Sequence, residues 1–463
     1  MDSRAADTII KNGYVVTMNP HRTIFSDGAV VIVGTRIAAV GPSSEIIAGW
    51  HAPQMIDARG SIVLPGLIDG HNHPNQYLSK GIGDDVEIFT WLRNIFAYEA
   101  HLSPEEAYIG ALGNFVEMVR SGTTCFNEPG SYHTDAIGRA AEQVGIRGIL
   151  SRSTIDLLDP SIPFPPNLVE DFATILERAE ATVERWNGAA NGRLRAWYSL
   201  RHAISVSDEL AVAIKQRADR DGVGIHCHAA VGEYENVSAI ERFGKRSLQR
   251  LHDLGLFAPN LYLVHMGAAS DHEIDLLARH DVKVSHCPSA SMFGSYGVIH
   301  NRKIPLMIQR GIKVSLGSDS ATAGRFLDMV RCMYLGACAH RDAYASPDVM
   351  GAYKAVEMAT TDGACACLLN DEIGSLESGK QADITIIDME DINWKPCRDP
   401  IRSLVYTANG TSVDTVIVAG RVLMRHRQMT MIDERWLRGE LEQVGTSVIG
   451  RAGITTTIPW PVS

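Results

Sequence analysis

The hydrophobic pattern divides the chain into two β-rich ends and a middle of different character. Near the N-terminus, residues 8–18, 28–33 and 36–40 alternate apolar and polar positions between Gly- and Pro-containing turns, as short antiparallel strands do. The same alternating pattern returns after residue 366. It predicts strands at 382–387, 403–406, 415–418 and 421–424, and an amphipathic helix follows at 432–447. Because chain termini often lie close together, we predict one composite β-sandwich domain from residues 1–62 and 366–463.

The middle, residues 63–365, alternates between strand and helix. The predicted strands are 62–69, 123–128, 146–153, 193–201, 223–228, 261–265, 282–286 and 312–319. Alternation of this kind implies parallel strands joined by crossover helices. Eight such repeats in about 300 residues have the size of a TIM barrel. An open doubly wound sheet is the alternative, but no Gly-rich phosphate-binding motif follows any predicted strand. The sequence thus predicts an α/β fold, a (β/α)8 TIM barrel with a small β-sandwich assembled from the N- and C-terminal segments.

Composition narrows the class of protein. The 463 residues are 45% hydrophobic and 21% charged, which is typical of a globular chain. The net charge of −11, without a basic cluster, argues against nucleic acid or an anionic membrane as a partner. No signal-peptide pattern or bilayer-length apolar run is present. The eight cysteines fall in predicted strands and helices, so we expect reduced thiols, a cytoplasmic location and a small-molecule substrate.

Histidines follow the first barrel strand at positions 71 and 73. In an extended segment, residues i and i+2 point to the same side, so both imidazoles can reach one ion at about 2.0–2.1 Å. The alternative is a pair of ordinary polar residues at a strand end. The other strands favour the metal site, because His226 and His228, His265, His286 and Asp319 end four more of them.

Active sites of TIM barrels lie at the carboxyl ends of the strands. Packing alone explains one such histidine but not ionisable residues on five strands, because buried ionisable groups are costly without partners. Imidazole and carboxylate ligands suit Zn²⁺, with Fe²⁺, Mn²⁺ or Co²⁺ as alternatives. A catalytic ion lowers the pKa of its water to about 7, and a neighbouring carboxylate can accept the proton. Asp319 is the residue we expect to act as both ligand and base.

Several segments together resemble the metal-dependent amidohydrolase superfamily, in particular its branch of cytosine, guanine and S-adenosylhomocysteine deaminases and triazine hydrolases. The segments are Ile10–Met18, Pro65–His73, His286-Cys-Pro-Ser, Gly317-Ser-Asp-Ser and Gly374–Asp383. The resemblance implies that His71, His73, His228 and Asp319 bind the metal. It also implies that His265 polarises the attacking water. The expected substrate-binding residues are His202, Trp91, Tyr77 and His286.

Further expectations concern the metal count and the assembly. Binuclear relatives bridge two ions with a lysine or a glutamate from strand 3 or 4, and neither strand has one here, so we expect one ion. Whether His226 or Glu128 joins the ligands stays open. The resemblance also implies a homo-oligomer, a dimer or a tetramer.

One departure from the family decides the expected reaction. The deaminases carry a glutamate three residues after the strand-5 ligand, where this chain has Val231. Without that acid, we predict hydrolysis of a urea, amide or (thio)carbamate carbonyl, as in the phenylurea hydrolases and the thiocarbamate (molinate) hydrolase. The alternative is a deaminase or dechlorinase of an N-heterocycle. A scaffold without activity is a third class, and the complete ligand set argues against it.

Overall fold

The computed structural model describes residues 3–158, 164–456 and 460. Its N-terminal part consists of β1 (Arg4–Ala5), β2 (Thr8–Val16), β3 (Ile24–Val33), β4 (Arg36–Pro42), α1 (Ser43–Gly49), β5 (Trp50–His51), β6 (Gln54–Asp57) and β7 (Ser61–Pro65). Strands β1 and β5 pair with each other, and the other five strands belong to a mixed sheet.

Eight parallel strands follow and pair in sequence order. They are β8 (Leu67–Asp69), β9 (Thr123–Asn127), β10 (Arg147–Ser151), β11 (Leu194–His202), β12 (Ile225–Ala229), β13 (Leu261–His265), β14 (Lys283–His286) and β15 (Val314–Leu316). The last strand returns to the first: Gly70 N donates to Leu316 O at 2.8 Å, and Asp319 N donates to His71 O at 2.8 Å. The predicted TIM barrel is confirmed, and its seam lies at two of the expected metal ligands.

Helices surround this barrel. They are α2 (Ile88–His101), α3 (Pro104–Arg120), α4 (Thr134–Val144), α5 (Phe172–Trp186), α6 (Asp208–Asp221), α7 (Glu233–Phe243), α8 (Ser247–Asp253), α9 (Asp271–Arg279), α10 (Pro288–Phe293), α11 (Lys303–Gln309), α12 (Met329–Tyr344), α13 (Ala352–Met358) and α14 (Thr361–Ala366). Among the described residues, none of the helices is long and apolar enough to cross a bilayer.

The C-terminal part completes the mixed sheet. It contains β16 (Ile384–Asp388), α15 (Pro400–Tyr406), β17 (Val413–Val418), β18 (Arg421–Arg425), β19 (Gln428–Met429) and α16 (Glu434–Arg451). The strand order is β19-β18-β17-β16-β7-β2-β3-β4, with β6 beside β2. The antiparallel pairing of β16 with β7 joins the two ends of the chain, as the sandwich prediction requires.

The predicted strand 62–69 is two strands. Residues up to Pro65 belong to the mixed sheet, and residues from Leu67 start the barrel. The break falls at Gly66, where a Cβ atom would overlap the side chain of Thr124. Only glycine therefore allows the chain to pass so close to β9 as it changes sheets.

The predicted strand 403–406 is wrong, because these residues lie in helix α15. Asp399 caps that helix by accepting hydrogen bonds from Ile401 N and Arg402 N, and Pro400 occupies its first position. Asp followed by Pro is a helix-start signal that outweighs the β-branched and aromatic residues downstream.

Candidate active site

The barrel brings the expected metal ligands to one point at its carboxyl end. The Nε2 atoms of His71 and His73 each lie 3.7 Å from Asp319 Oδ1. His228 Nε2 lies 3.3 Å from His73 Nε2. Four ligands about 2.1 Å from a common tetrahedral ion would be about 3.4 Å apart, so this spacing fits one small cation.

The chemistry of these side chains also fits a cation. His71 Nε2 is buried without a hydrogen-bond partner among the described residues. Burial lowers the pKa of His71, His73 and His228 well below the ordinary value, so the imidazoles are in the neutral form that binds metals. Burial also raises the pKa of Asp319 to about 7. A divalent ion would supply a positive charge beside this carboxylate and so stabilise its ionised form.

Hydrogen bonds to the other ring nitrogens fix the orientation of two ligands. His71 Nδ1 lies 3.0 Å from His226 Nε2, and His226 Nδ1 lies 3.1 Å from Asn127 Oδ1. His228 Nδ1 lies 2.6 Å from the carbonyl oxygen of Arg201. The Nε2 atoms of both ligands are thereby directed to the common point. His226 supports His71 from below and is not placed as a ligand itself.

His265 lies beside the ligand group. Its Nε2 is 3.9 Å from Asp319 Oδ2, the second oxygen of that carboxylate. The backbone φ angle is 76° at His265 and 63° at Asp319. Positive φ values in non-glycine residues are strained, and both occur here where a side chain must point into the site.

A cavity opens above the ligands. Its floor is polar and includes Arg201 and His202 from the end of β11 and Gln76 from the turn after β8. Its wall is apolar and comes mainly from α2. The wall residues on that helix are Ile88, Trp91, Leu92, Ile95 and Phe96. The expected substrate-binding residues His202 and Trp91 therefore do line the cavity.

Tyr77 and His286 do not line this cavity. The Tyr77 hydroxyl donates to Glu117 at 2.9 Å, so its ring packs on α3. His286 Nε2 lies 3.1 Å from the Nε2 of His340 on α12. Side chains alternate along β14, and the neighbours Ser285 and Cys287 face the barrel interior at Gly317. His286 consequently points outward into the helix layer.

Val231 faces the cavity, and neither glutamate that follows it replaces the missing acid. Glu235 is buried, but its carboxylate accepts hydrogen bonds from Ala230 N at 2.8 Å and Val231 N at 3.0 Å. Ala230 has φ of 48°, so Glu235 stabilises a strained turn after β12. Glu233 is exposed.

A buried ion pair at the cavity floor was not predicted. Arg201 Nη2 donates to Glu99 Oε1 at 3.1 Å, and Gln76 Nε2 donates to the same oxygen at 2.8 Å. Arg201 adjoins His202 at a strand end, which is a usable signal, whereas Glu99 on α2 carries none. Glu128 is also buried, with its pKa raised to about 8, but its carboxylate accepts only from Ser151 N and stays outside the ligand group.

Comparison with known proteins places this geometry in context. A family model described as "Amidohydrolase family" matches residues 62–423. The 5'-deoxyadenosine deaminase of Methanosarcina mazei is 35% identical over 447 residues, which are 96% of this chain and 99% of that protein. The 5-methylthioadenosine/S-adenosylhomocysteine deaminase of Moorella thermoacetica is 33% identical over 413 residues, covering 89% of this chain and 92% of that protein. The crystal structure of an adenosine deaminase from Xanthomonas campestris with bound zinc has a TM-score of 0.89 at 25% identity, covering 96% of this chain and 99% of that one.

The deaminase names of these relatives contradict the predicted reaction. The chain was expected to hydrolyse a urea, amide or (thio)carbamate carbonyl, yet relatives that span nearly all of it are deaminases. The alternative, an N-heterocycle deaminase, is better supported. The prediction weighed one missing acid too heavily, because Asp319, His265 and His202 all remain at the cavity. The expected likeness to phenylurea and thiocarbamate hydrolases depended on the same departure and is not supported.

Proposed function

Because the chain belongs to the amidohydrolase family and is a hydrolase of C–N bonds, we propose that it removes an amino group from an N-heterocyclic substrate. The carrying observation is the deaminase identity of relatives that cover almost the whole chain. The site supports the proposal, since three histidines and an aspartate converge beneath a cavity with an aromatic wall. Flat heterocycles pack well against such side chains.

We assign one divalent ion, zinc in the first place, to His71, His73, His228 and Asp319. The zinc in the Xanthomonas deaminase structure supports this metal, and Fe²⁺, Co²⁺ and Mn²⁺ are alternatives. Bound there, such an ion would lower the pKa of a coordinated water to about 7.

The residues of this chain then move the protons. Asp319 faces the other ligands with Oδ1 and His265 with Oδ2, so one carboxylate can hold the ion and accept the proton of the attacking water. His265 orients that water and stabilises the charge on Asp319. Asp319 next delivers the proton to the departing amine, which leaves as ammonia or as a substituted amine.

The ring nitrogen also needs a proton; the second O–H of the attacking water replaces it when the carbonyl forms, and Val231 cannot relay it. His202 is the residue we assign to this role, because it lines the cavity and its ring lies 4.8 Å from the ring of His228. A donor at His202 would approach the substrate from the side of β11. A donor at position 231 would instead approach from the turn after β12.

A metal-replacement assay tests the proposal. The purified protein would be treated with a chelator, dialysed, and reloaded with Zn²⁺, Fe²⁺, Co²⁺ or Mn²⁺. Release of ammonia or amine would be followed with adenine nucleosides, guanine and aminotriazines. We expect activity on at least one of these to disappear with the metal and return with about one equivalent. Metal-independent turnover, or none with any aminoheterocycle, would refute the proposed function.

A further inference from the structure

The cavity wall indicates what the non-reacting part of the substrate is like. This inference rests on the proposed function, because it takes the reacting amino group to lie on the polar floor beside Asp319 and His265. We take the rest of the molecule to extend toward α2, whose residues 88–96 form the largest apolar part of the cavity lining. Its contacts there decide which substituent the heterocycle carries.

This wall offers a sugar almost nothing to bind. Its five side chains are Ile88, Trp91, Leu92, Ile95 and Phe96, and none of them provides a hydrogen-bond acceptor. The one polar atom, Trp91 Nε1, is a donor only; it is buried and has no hydrogen-bond partner among the described residues, so it offers a ligand a single hydrogen bond. Ribose hydroxyl groups placed against this surface would lose their hydrogen bonds to water without replacement.

Residues outside α2 extend the apolar surface of the cavity. Val231 lines it where the deaminases of the family carry a glutamate, and its side chain is only 5% exposed. The same substitution that removes an acid therefore adds a hydrophobic contact. The tyrosines 234 and 296 complete this surface with aromatic rings.

The approach to the cavity carries exposed apolar side chains beside one acidic residue. An adjoining hollow shares Ile88 and Trp91 with the cavity and is lined further by Val86, Phe293 and Asp85. Val86 is 43% exposed and Phe293 is 37% exposed. Large hydrophobic side chains exposed beside a binding cavity are typical of a surface that receives an apolar ligand.

We propose that the substrate is an amino-substituted heterocycle that carries an alkyl or aryl group where a nucleoside carries its sugar. Helix α2, through Ile88, Trp91 and Leu92, is the element that selects this group. The relatives' nucleoside specificity is in this view not shared, although the reaction is.

Two compounds with the same base test the proposal: 5'-deoxyadenosine and 9-cyclopentyladenine. The metal-loaded enzyme would be assayed for ammonia release from each, and calorimetry would give the two dissociation constants. We expect kcat/KM, and binding, to favour the cyclopentyl compound by about 10- to 100-fold, the range over which an apolar pocket discriminates against added hydroxyl groups. Equal or better use of 5'-deoxyadenosine would overturn the inference and leave the proposed function intact.

A variant and its control locate the selection on α2. Ile88→Gln places an amide on the wall and should reduce the preference at least about threefold. Arg93→Gln changes an exposed residue of the same helix and should leave the ratio unchanged. An unchanged ratio in Ile88→Gln would refute the role of α2. If neither compound is deaminated, the dissociation constants alone decide this inference, and the proposed function is judged by the wider panel of heterocycles.

Discussion

At the scale of single residues, the site divides tasks between the two oxygens of one carboxylate. Asp319 Oδ1 lies 3.7 Å from the Nε2 atoms of His71 and His73, and Oδ2 lies 3.9 Å from His265 Nε2. Few groups in a buried pocket can serve both a cation and a proton transfer. Substitutions that preserve the shape of this side chain but remove its basicity are therefore the most informative.

Asp319→Asn should lower kcat by about 10²–10⁴-fold, because the amide cannot accept the proton of the attacking water. Steady-state assays with the best heterocycle would measure the effect, and metal analysis would show how much ion is retained. Asp84→Asn, at an exposed ion pair with Arg325, is the control and should keep the native rate. A rate above about one tenth of native in Asp319→Asn would contradict the assignment of the base.

Val231→Glu should restore a second acid at the cavity and raise kcat for nucleoside or nucleobase deamination by about tenfold or more. The matched variant Val231→Gln has the same size without the acid and should show no such gain. Comparison of the two in pre-steady-state assays isolates proton donation from shape. Equal rates for Glu and Gln would mean that position 231 has no part in the chemistry.

At the scale of elements, most strands and helices follow from the sequence pattern, and the exceptions have local causes. Helix α6 begins and ends at signals that the sequence shows, because Ser207 caps it and Gly222 ends it. Gly66 divides one apolar run into two strands only because Thr124 lies against it, and no sequence pattern reveals that contact. His286 was expected to bind the substrate, but its side chain points away from the cavity for a related reason. The direction of a side chain on a strand depends on the strand register, which motif similarity does not specify.

The candidate site, like the fold, could be predicted from the sequence only in part. His71, His73, His228, His265 and Asp319 come together because strand ends of a closed barrel must meet. The pairing of Arg201 with Glu99, and the apolar wall from α2, depend on how a loop-borne helix packs over the barrel. That packing leaves no periodic signal in the chain.

The ion pair between Arg147 and Asp383 links β10 of the barrel to the mixed sheet. Both side chains are 2% exposed, and two nitrogens of the guanidinium contact the two carboxylate oxygens at 2.6 and 3.1 Å. Asp383→Ala should therefore lower the free energy of unfolding by about 3–5 kcal/mol, because it leaves a buried charge unpaired. Urea denaturation followed by circular dichroism would measure the loss.

Asp388 provides the control, since it lies on β16 and pairs with Arg427 at the surface. Asp388→Ala should cost at most about 1 kcal/mol, as exposed ion pairs do. Similar losses for the two alanine variants would show that burial does not set the strength of these pairs.

At the scale of the whole molecule, the two sheets share one hydrophobic core. Leu67 and Phe115 of the barrel layer belong to the same contiguous cluster as Ile387 and Val416 of the mixed sheet. In addition, Thr385 Oγ1 donates to Gly122 O at 2.7 Å across the junction. The barrel is thus not independent of the chain ends that cover it.

Residues 63–365 expressed alone should consequently fail to give soluble, folded protein. The truncation removes the strand partner of β7 and exposes core residues that β16 and β17 normally cover. Soluble yield and the far-ultraviolet spectrum would be compared with those of the full chain. A shorter chain that ends at residue 456 is the control and should fold normally; a folded, monodisperse 63–365 fragment would contradict the shared core.

The barrel seam has a consequence for biosynthesis. Asn72 Nδ2 donates to the carbonyl oxygen of Asp319 across a sequence separation of 247 residues, beside the ligands themselves. A ribosome that has released only the first half of the polypeptide has exposed His71 and His73 but cannot yet supply the aspartate. With the proposed ligand set, the complete cation site can form only after translation has passed the last barrel strand, so a chain that holds the assigned ion has also joined its first barrel repeat to its eighth.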